Sequence, residues 1–172
     1  ALLFYPFHDM EPFLLLLKEA AENPEVKSIK ITIYRLANHS RIVRYLARAA
    51  ENGKEVTALM ELRARFDEKH NIEAAELLEE AGCTVIYGFE NYKVHSKICM
   101  ITLQNKKGEW KTITQIGTGN YNEKTSKMYT DISYITAKPS IGKDAITFFQ
   151  NMSLSNLEGE YDHLIVSPHS LK

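Results

Sequence analysis

Strand-like apolar runs alternate with helical stretches along the first half of this chain. The strand-like runs are 28–34, 55–61 and 83–87, and the helical stretches between them are 40–51 and 71–81. Each helical stretch ends at a glycine, as helices commonly do. Strands joined by helical crossovers pair in parallel with right-handed connections. The alternation therefore predicts a parallel sheet for this half.

The second half of the chain has a different pattern. Strand-like runs at 94–103 and 110–116 are joined by the short polar segment 105–108, which predicts an antiparallel hairpin. A further strand is predicted at 128–136 and a helix at 141–150. With another helix before the first strand, at 11–22, the prediction is an α/β fold whose mixed β-sheet carries helices on both faces.

Length and composition limit the classes of protein that fit. The chain has 172 residues, of which 44% are hydrophobic and 25% are charged. This is enough for one domain with a substantial core, so we expect a single domain over 1–172. The net charge of -1 gives no overall positive field, and no nucleic-acid partner is expected. Apolar runs fall well short of the length that spans a membrane.

The two cysteines and the chain ends suggest the setting of the protein. Cys83 and Cys99 lie in apolar, strand-like stretches and are expected to be reduced core residues of a cytoplasmic protein. The sequence starts with Ala1 and lacks a signal peptide, so we expect an excised piece of a longer, multidomain protein.

A histidine and a lysine stand two residues apart on the predicted strand 94–103. Side chains alternate along a strand, so His95 and Lys97 should share one face. Twenty residues later a second predicted strand ends in the turn Gly117-Thr118-Gly119-Asn120-Tyr121-Asn122. An imidazole nitrogen can act as a nucleophile, and lysine, hydroxyl, amide and backbone N–H groups can hold phosphoryl oxygens. The two segments predict a phosphate site that contains its own nucleophile.

Two arginines follow predicted strands at the edge where ligands gather. Arg35 and Arg65 each come after a strand end, and a guanidinium matches phosphate geometry with two hydrogen bonds. We expect both to clamp phosphate. Arg63 shares the face of Arg65 or is a surface residue. Asp67 and Glu68 are interpreted as surface or capping groups rather than metal ligands.

Five stretches of this sequence, taken in order, resemble a known catalytic domain. They are Tyr34-Arg35, Glu61 to Glu68, Val94-His95-Ser96-Lys97, Ile116 to Asn122 and Met128-Tyr129-Thr130-Asp131. The His-x-Lys and Gly-Thr-x-Asn pairing is similar to a half-site of the phospholipase D superfamily. The full set resembles the first C-terminal catalytic domain of the bacterial polyphosphate kinase family, from about Tyr5 to Lys172. The resemblance implies a phospholipase D-like fold.

The resemblance also implies roles for the site residues. His95 would attack the terminal phosphate of ATP or polyphosphate and carry the phosphoryl group, with Lys97 and Asn120 beside it as phosphate contacts. Thr118 and Asn122 are further phosphate-binding candidates. Asn122 has an alternative role as the cap of a helix that starts at the next residue.

Other parts of the implied site are less visible in the sequence. The matching tyrosine in the family contacts ATP, so Tyr129 is either an ATP-binding residue or a core residue. Arg35 and Arg65 match a magnesium–phosphate site, where they would hold phosphate next to Mg²⁺ because a guanidinium is a poor ligand for a cation. Members of the superfamily often carry an acid five residues after the lysine, but Thr102 stands there, so the group that orients His95 stays unidentified.

The expected function is reversible transfer of the ATP γ-phosphate to polyphosphate through a phosphohistidine. ATP, ADP and inorganic polyphosphate would be the substrates, and Mg²⁺ the cofactor. The resemblance implies a homo-oligomeric parent, cytoplasmic or peripheral at the inner membrane, whose second His-bearing domain completes the site. The isolated chain is therefore expected to be inactive. Two alternatives are a phospholipase D-type phosphodiesterase half-site and a non-catalytic polyanion-binding module.

Overall fold

A single mixed sheet organises the molecule. The structure, a computed structural model, describes residues 1–62, 68–89 and 92–168. Its strands are β1 (Leu2–Tyr5), β2 (Val26–Ile33), β3 (Glu55–Met60), β4 (Thr84–Tyr87), β5 (Ile98–Gln104), β6 (Trp110–Gly117) and β7 (Asp131–Thr136). Its helices are α1 (Glu11–Glu22), α2 (Arg41–Glu51), α3 (Glu68–Glu80) and α4 (Pro139–Ser153), with a short 3₁₀ turn at Thr125–Lys127.

The sheet order explains how distant motifs meet. The seven strands follow the order β1-β7-β6-β5-β2-β3-β4. The strands β2, β3 and β4 pair in parallel, and β5 pairs with β6 as an antiparallel hairpin, which confirms both predictions. Antiparallel pairing of β5 with β2 joins the two halves. The ends of β2 and β6 therefore lie on either side of the segment that enters β5.

Both faces of the sheet are covered, as predicted. Alternate residues of one strand enter different cores: Val56, Ala58 and Met60 pack with α1, α2 and α3, whereas Leu59 packs with α4. The same alternation separates Cys99 from Met100 on β5. This is the period of two expected for strands that are buried on both faces. Both cysteines are free and buried, in agreement with the prediction.

Local sequence sets the ends of the helices. The hydroxyl of Ser40 accepts a hydrogen bond from the amide of Ile42, at 3.2 Å, and so caps α2. Gly53 and Gly82 adopt φ of +80° and +90° just after α2 and α3, a conformation that favours glycine. These caps fix where the chain leaves each helix to enter the next strand.

Several predicted boundaries need correction. The strand predicted at 94–103 begins only at Ile98, so His95 and Lys97 precede β5. The strand predicted at 128–136 begins at Asp131, and Tyr129 lies in a turn before it. Helix α3 begins at Glu68, before its predicted start at Asn71. The strand β1 was not predicted, because it is short and depends on pairing with β7, which is distant in sequence.

Within the three described ranges, no helix combines the length and the apolar character needed to cross a lipid bilayer.

Candidate functional site

The segment that carries His95 has no regular secondary structure and is held by hydrogen bonds from its neighbours. The hydroxyl of Thr32 donates to the carbonyl of Ser96, at 2.7 Å, and accepts from the amide of Ile98, at 3.1 Å. From the other side, the amide of Gly117 donates to the carbonyl of Lys97, at 2.9 Å. Thr32 is fully buried. The His-x-Lys segment is therefore fixed against β2 and β6 although it does not belong to a strand.

A buried glutamate fixes the residue just before His95. The side chain of Glu61 is 2% exposed, and its Oε2 accepts from the amide of Val94, at 3.0 Å. A Cβ atom at Gly88 would lie 3.2 Å from that same oxygen, so the chain passes close to the carboxylate here. Glu61 thus positions the entry to the site from the end of β3.

A buried asparagine ties the ends of β2 and β3 together. The Nδ2 of Asn71, on α3, donates to the carbonyl of Tyr34, at 2.8 Å, and to that of Glu61, at 2.9 Å. Asn71 is fully buried. It therefore fixes the backbone at both strand ends that border the His95 segment.

Three chemically important side chains surround the Tyr34 ring. The centroids of Tyr34 and His95 are 4.7 Å apart, with an interplanar angle of 78°. The Cζ of Arg35 and the Nζ of Lys97 lie 5.5 Å and 5.3 Å from the centroid of Tyr34. The structure thus brings His95, Lys97 and Arg35 into one cluster, as the sequence predicts.

The electrostatics of the cluster favour a neutral imidazole. Burial lowers the pKa of His95, and the charges of Lys97 and Arg35 lower it further. An ordinary histidine has a pKa of about 6.5, so a lowered pKa favours the neutral imidazole at neutral pH. A neutral ring nitrogen has the lone pair that a nucleophile needs.

Lys97 carries the most perturbed amine of the site. Its side chain is buried, at 6% exposure, and its Nζ donates to the carbonyl of His95. Burial lowers its pKa to about 8; the carboxylate of Asp131 opposes this shift, and Arg35 adds to it. Burial therefore disfavours the charge of Lys97, and an anion placed beside it would stabilise its charged form.

The glycine-rich turn after β6 presents Asp131 to the site. The hydroxyl of Thr118 donates to Oδ1 of Asp131, at 2.8 Å, and accepts from the amide of Ile132, at 2.9 Å. A Cβ atom at Gly119 would lie 2.6 Å from the other carboxylate oxygen, so glycine permits this close approach. The Thr118 hydroxyl is thus engaged with β7, and its contact with phosphate stays a prediction.

The two predicted asparagines have different surroundings. Asn120 is half-buried, and its buried Oδ1 accepts no hydrogen bond from the described part of the chain. In contrast, Oδ1 of Asn122 accepts from the amides of Lys124 and Thr125, at 3.0 and 3.1 Å. No helix starts at Glu123, so the predicted cap is wrong in that form; Asn122 instead fixes the turn that leads into the 3₁₀ turn Thr125–Lys127. Phosphate contact by either residue stays a prediction.

A hydrogen-bonded pair beneath the turn supports it. Tyr121 is 3% exposed and stacks on Phe13 of α1, with centroids 5.2 Å apart. Its hydroxyl donates to Oε1 of Gln115, whose Nε2 donates to the hydroxyl of Ser133, at 2.9 Å. This arrangement anchors the turn to β6, β7 and the core.

Two predicted residues are not joined to the cluster by the structure. Tyr129 is 61% exposed in the turn before β7, which excludes a core role and leaves its ATP contact as a prediction. Arg65, with its neighbours Arg63 and Asp67, lies outside the described residues. Their roles stay predictions.

The site opens into a cavity with one polar and one apolar side. The cavity, of about 570 Å³, is lined by His95, Ser96 and Lys97 and by apolar residues of α4 and of the segment 157–168. A larger concavity of about 980 Å³ lies between α2 and α3 and contains none of the predicted site residues. We assign the smaller cavity to the site because it contains the nucleophile candidate.

A buried carboxylate holds the apolar wall in place. Asp144, on α4, is 2% exposed and accepts from the amides of Asp162, His163 and Leu164, at 3.2, 2.6 and 2.8 Å. Leu164 then packs in the same apolar cluster as Val94. Asp144 therefore fixes the segment that encloses the cavity opposite His95.

Sequence reasoning did not identify three residues of this site. Glu61, Tyr34 and Asp131 each begin or end one of the five motif stretches, but none was given a role. Tyr34 ends a predicted strand, so its position at the edge where ligands bind was a usable signal. Asp131 lies inside the strand predicted at 128–136 and gave no such signal. The buried contact of Glu61 with Val94 depends on the fold and has no local signal.

A cation site made by protein side chains alone is not supported here. The described ranges contain no group of three or more His, Cys, Asp or Glu side chains that could hold a metal ion. The cluster at His95 carries the cations Lys97 and Arg35 instead. These residues fit phosphate rather than a resident Mg²⁺.

Comparison with known sequences gives a consistent assignment. A sequence profile described as "Polyphosphate kinase C-terminal domain 1" matches residues 1–158. A polyphosphate kinase of Staphylococcus haemolyticus is 45% identical over 168 residues, which are 98% of this chain and 23% of that protein. One of Exiguobacterium sibiricum is 46% identical over 170 residues, or 99% and 24%. The chain therefore spans about a quarter of the length of these curated relatives.

Solved structures agree with the sequence comparison. The crystal structure of polyphosphate kinase from Porphyromonas gingivalis matches with a TM-score of 0.81 and 33% identity, over 94% of this chain and 27% of that one. NucT from Helicobacter pylori matches with a TM-score of 0.68 over 90% and 95%, at 17% identity. The second likeness shows the fold alone. The predicted phospholipase D-like α/β fold is confirmed.

Proposed function

The chain belongs to the polyphosphate kinase family, as a C-terminal domain 1, and from this premise we propose that His95 carries the phosphoryl group between ATP and polyphosphate. The observation that supports this most directly is the cluster at the cavity. A histidine with a lowered pKa lies beside Lys97 and Arg35, which can bind phosphate oxygens.

The proposed transfer has two steps. A neutral ring nitrogen of His95 attacks the γ-phosphorus of ATP; the N–P bond forms, the bond from phosphorus to the bridging oxygen breaks, and ADP leaves. A terminal oxygen of polyphosphate then attacks the phosphorus of phosphohistidine. The N–P bond breaks, the imidazole recovers its lone pair, and the polyphosphate is one phosphate longer. The reverse sequence forms ATP.

The cations of the site supply what phosphoryl transfer needs. Such reactions depend on positioning and charge stabilisation. Lys97 is a point charge, and Arg35 can hold two oxygens at once. We propose the same role for Arg65, and phosphate or nucleotide contact for Asn120, Thr118, Asn122 and Tyr129. The charge of Asp131, which accepts a hydrogen bond from Thr118, raises the pKa of Lys97 and so favours its charged form.

Magnesium enters the proposal only with the substrate. Mg²⁺ is commonly bound through substrate phosphates and few protein carboxylates. The described residues around His95 fit the phosphates and provide no carboxylate set for the metal. Binding, orientation and charge neutralisation at His95 are therefore assigned to the protein side chains.

The remainder of the parent protein is part of the proposal. Because the chain spans about a quarter of its curated relatives, we propose that a second His-bearing domain completes the site and that the parent forms a homo-oligomer in the cytoplasm. The structural likeness to NucT does not support the phosphodiesterase alternative, because a likeness at 17% identity shows only a shared fold. A polyanion-binding module without catalysis stays the second alternative.

The test is phosphorylation of the full-length parent. We expect incubation with γ-labelled ATP and Mg²⁺ to place an acid-labile label on the peptide that contains His95. His95→Ala should abolish both the label and polyphosphate synthesis. His8→Ala, at an exposed position near β1, is the matched control and should leave both intact. An acid-stable label, or a label on His8 or Ser96, would overturn the assignment.

A further inference from the structure

The Tyr34 ring touches the three central groups of the site but has no role in the reaction described so far. It meets His95 at 4.7 Å between centroids, and it lies 5.5 Å from the Cζ of Arg35 and 5.3 Å from the Nζ of Lys97. Attraction between a cation and an aromatic face extends to about 6 Å. Tyr34 therefore connects the nucleophile candidate with both cations.

An aromatic ring suits this position better than a carboxylate would. Arg35 and Lys97 repel each other, and Arg35 contributes to the lowered pKa of Lys97. A carboxylate between them would hold both cations but would also neutralise them and repel an incoming phosphate. The ring quadrupole attracts cations without net charge. It can keep two cations close to His95 without adding a negative charge of its own.

The fold fixes the ring from its backbone. The carbonyl of Tyr34 accepts from Nδ2 of Asn71, which also binds the carbonyl of Glu61. Glu61 in turn holds the amide of Val94. The backbones on both sides of the contact between Tyr34 and His95 are thus tied to the same buried pair of residues, so the contact is built into the fold.

We propose that Tyr34 is a positioning residue of phosphoryl transfer, whose ring orients the His95 imidazole and holds the Arg35 and Lys97 cations beside it. The role in catalysis rests on the proposed function. The contact between Tyr34 and His95 does not depend on the proposed function, and it can be measured without an activity assay.

The first measurement uses NMR on this chain. A ring this close shifts the resonances of the His95 ring protons. Tyr34→Leu removes the ring and should move these resonances toward those of an unstructured histidine, whereas Tyr34→Phe should leave them near their original positions. The control is Tyr45→Leu, because Tyr45 on α2 also faces an arginine, with the Cζ of Arg44 5.6 Å from its centroid, but lies away from the site. It should leave the His95 resonances unchanged.

The second measurement uses the full-length parent. At saturating ATP, Tyr34→Leu should slow phosphorylation of His95 by about 10- to 100-fold with little change in KM, because misplacement of reacting groups acts on the chemical step. Tyr34→Phe should restore most of the rate, since it keeps the ring. Tyr45→Leu should behave as the wild type.

Each outcome decides one part of the proposal. Unchanged His95 resonances in a folded Tyr34→Leu chain would overturn the positioning role, as would a wild-type rate in that variant of the parent. A wild-type parent that is never phosphorylated on His95 would overturn the proposed function. The His95 ring-proton resonances would then still test the contact between Tyr34 and His95. Where Tyr34→Leu does not fold, pentafluorophenylalanine at position 34 keeps the shape and removes the attraction for cations. If this variant phosphorylates His95 as fast as Tyr34→Phe does, the proposal that the ring holds the Arg35 and Lys97 cations is wrong.

Discussion

Lys97 and Asp144 are two buried charges of this domain that the fold treats in opposite ways. Their side chains are 6% and 2% exposed. The carboxylate of Asp144 accepts three backbone N–H groups, which outweigh the effect of burial and leave its pKa below the ordinary 3.8. The ammonium of Lys97 donates to the carbonyl of His95, and burial lowers its pKa to about 8. The charged form is stabilised at Asp144 and destabilised at Lys97.

The difference separates a charge that the protein itself satisfies from one for which we propose a functional role. Buried charges are stable when hydrogen bonds satisfy them. The protein's own N–H groups satisfy the carboxylate of Asp144, which holds a wall of the cavity, so no ligand is needed to stabilise its charge. Lys97 has a perturbed pKa at a cavity that also contains His95, which is the arrangement expected where a substrate supplies the missing partner. This contrast predicts that changes at Lys97 affect chemistry, whereas changes at Asp144 affect stability.

The largest expected effect is on the reaction rate of a Lys97→Met parent. Methionine keeps most of the volume and removes the charge. We expect phosphorylation of His95 to fall by about 100- to 1,000-fold, as when a single electrostatic donor to a transition state is removed. The loss of the bond to the His95 carbonyl and the relief of a buried charge oppose each other, so thermal stability should change little. Lys143→Met, which removes an exposed lysine on α4, is the control.

If Lys97→Met instead loses much stability while the rate of His95 phosphorylation per folded molecule is unchanged, the contrast between Lys97 and Asp144 is wrong. Lys97 would then be the structural charge. Rates are therefore compared with the folded fraction measured by circular dichroism on the same samples.

The second effect is a loss of stability in Asp144→Asn. An amide cannot accept all three N–H groups, and hydrogen bonds to charged groups are among the stronger ones. We expect the free energy of unfolding to fall by about 2–4 kcal/mol, measured by urea denaturation of this chain. The control, Asp162→Asn, breaks an exposed 2.7 Å pair with Lys143 and should cost much less stability, because solvent screens exposed pairs. Equal losses in the two variants would show that the three N–H bonds contribute no special stability.

The contrast also shows what the sequence could reveal. The parallel strands, the hairpin and the cluster of His95, Lys97 and Arg35 were predictable, because period, caps and motif order are local signals. The satisfaction of Asp144 was not, because its three donors lie 18 to 20 residues further along the chain. The start of β5 was misplaced for a similar reason: the segment before it is held by Thr32 on β2 and by Glu61 just after β3, both distant in sequence.

Charge environment was the other feature that the sequence did not provide. The His-x-Lys spacing predicts that His95 and Lys97 lie on the same face. The lowered pKa of Lys97, however, depends on burial and on the positions of Arg35 and Asp131. Asp131 belongs to one of the five motif stretches, yet only the fold shows that its charge acts on Lys97 and raises the pKa of that amine. Motifs therefore predicted the groups of the candidate site, whereas the pKa values of His95 and Lys97 depend on how the fold packs around them.

The smallest expected effect is a pH dependence of stability that runs in the same direction for the two charges but in separate windows. In the unfolded chain Lys97 keeps its proton up to about pH 10.5, whereas in the folded chain it loses it near pH 8. Between these values the unfolded state binds more protons, so this residue makes the domain more stable as pH rises. The gain is about 1–3 kcal/mol across the window. For Asp144, the contribution to stability is fully present above pH 3.8 and is lost as pH falls through the lower pKa of the folded state.

Because other groups also titrate, each contribution is measured as the difference in unfolding free energy between the wild type and Lys97→Met or Asp144→Asn. The first difference should change only at alkaline pH and the second only at acidic pH. A flat difference for Lys97 between pH 8 and 10.5 would mean that its ammonium is satisfied in the folded chain, and the distinction between the two charges would fail.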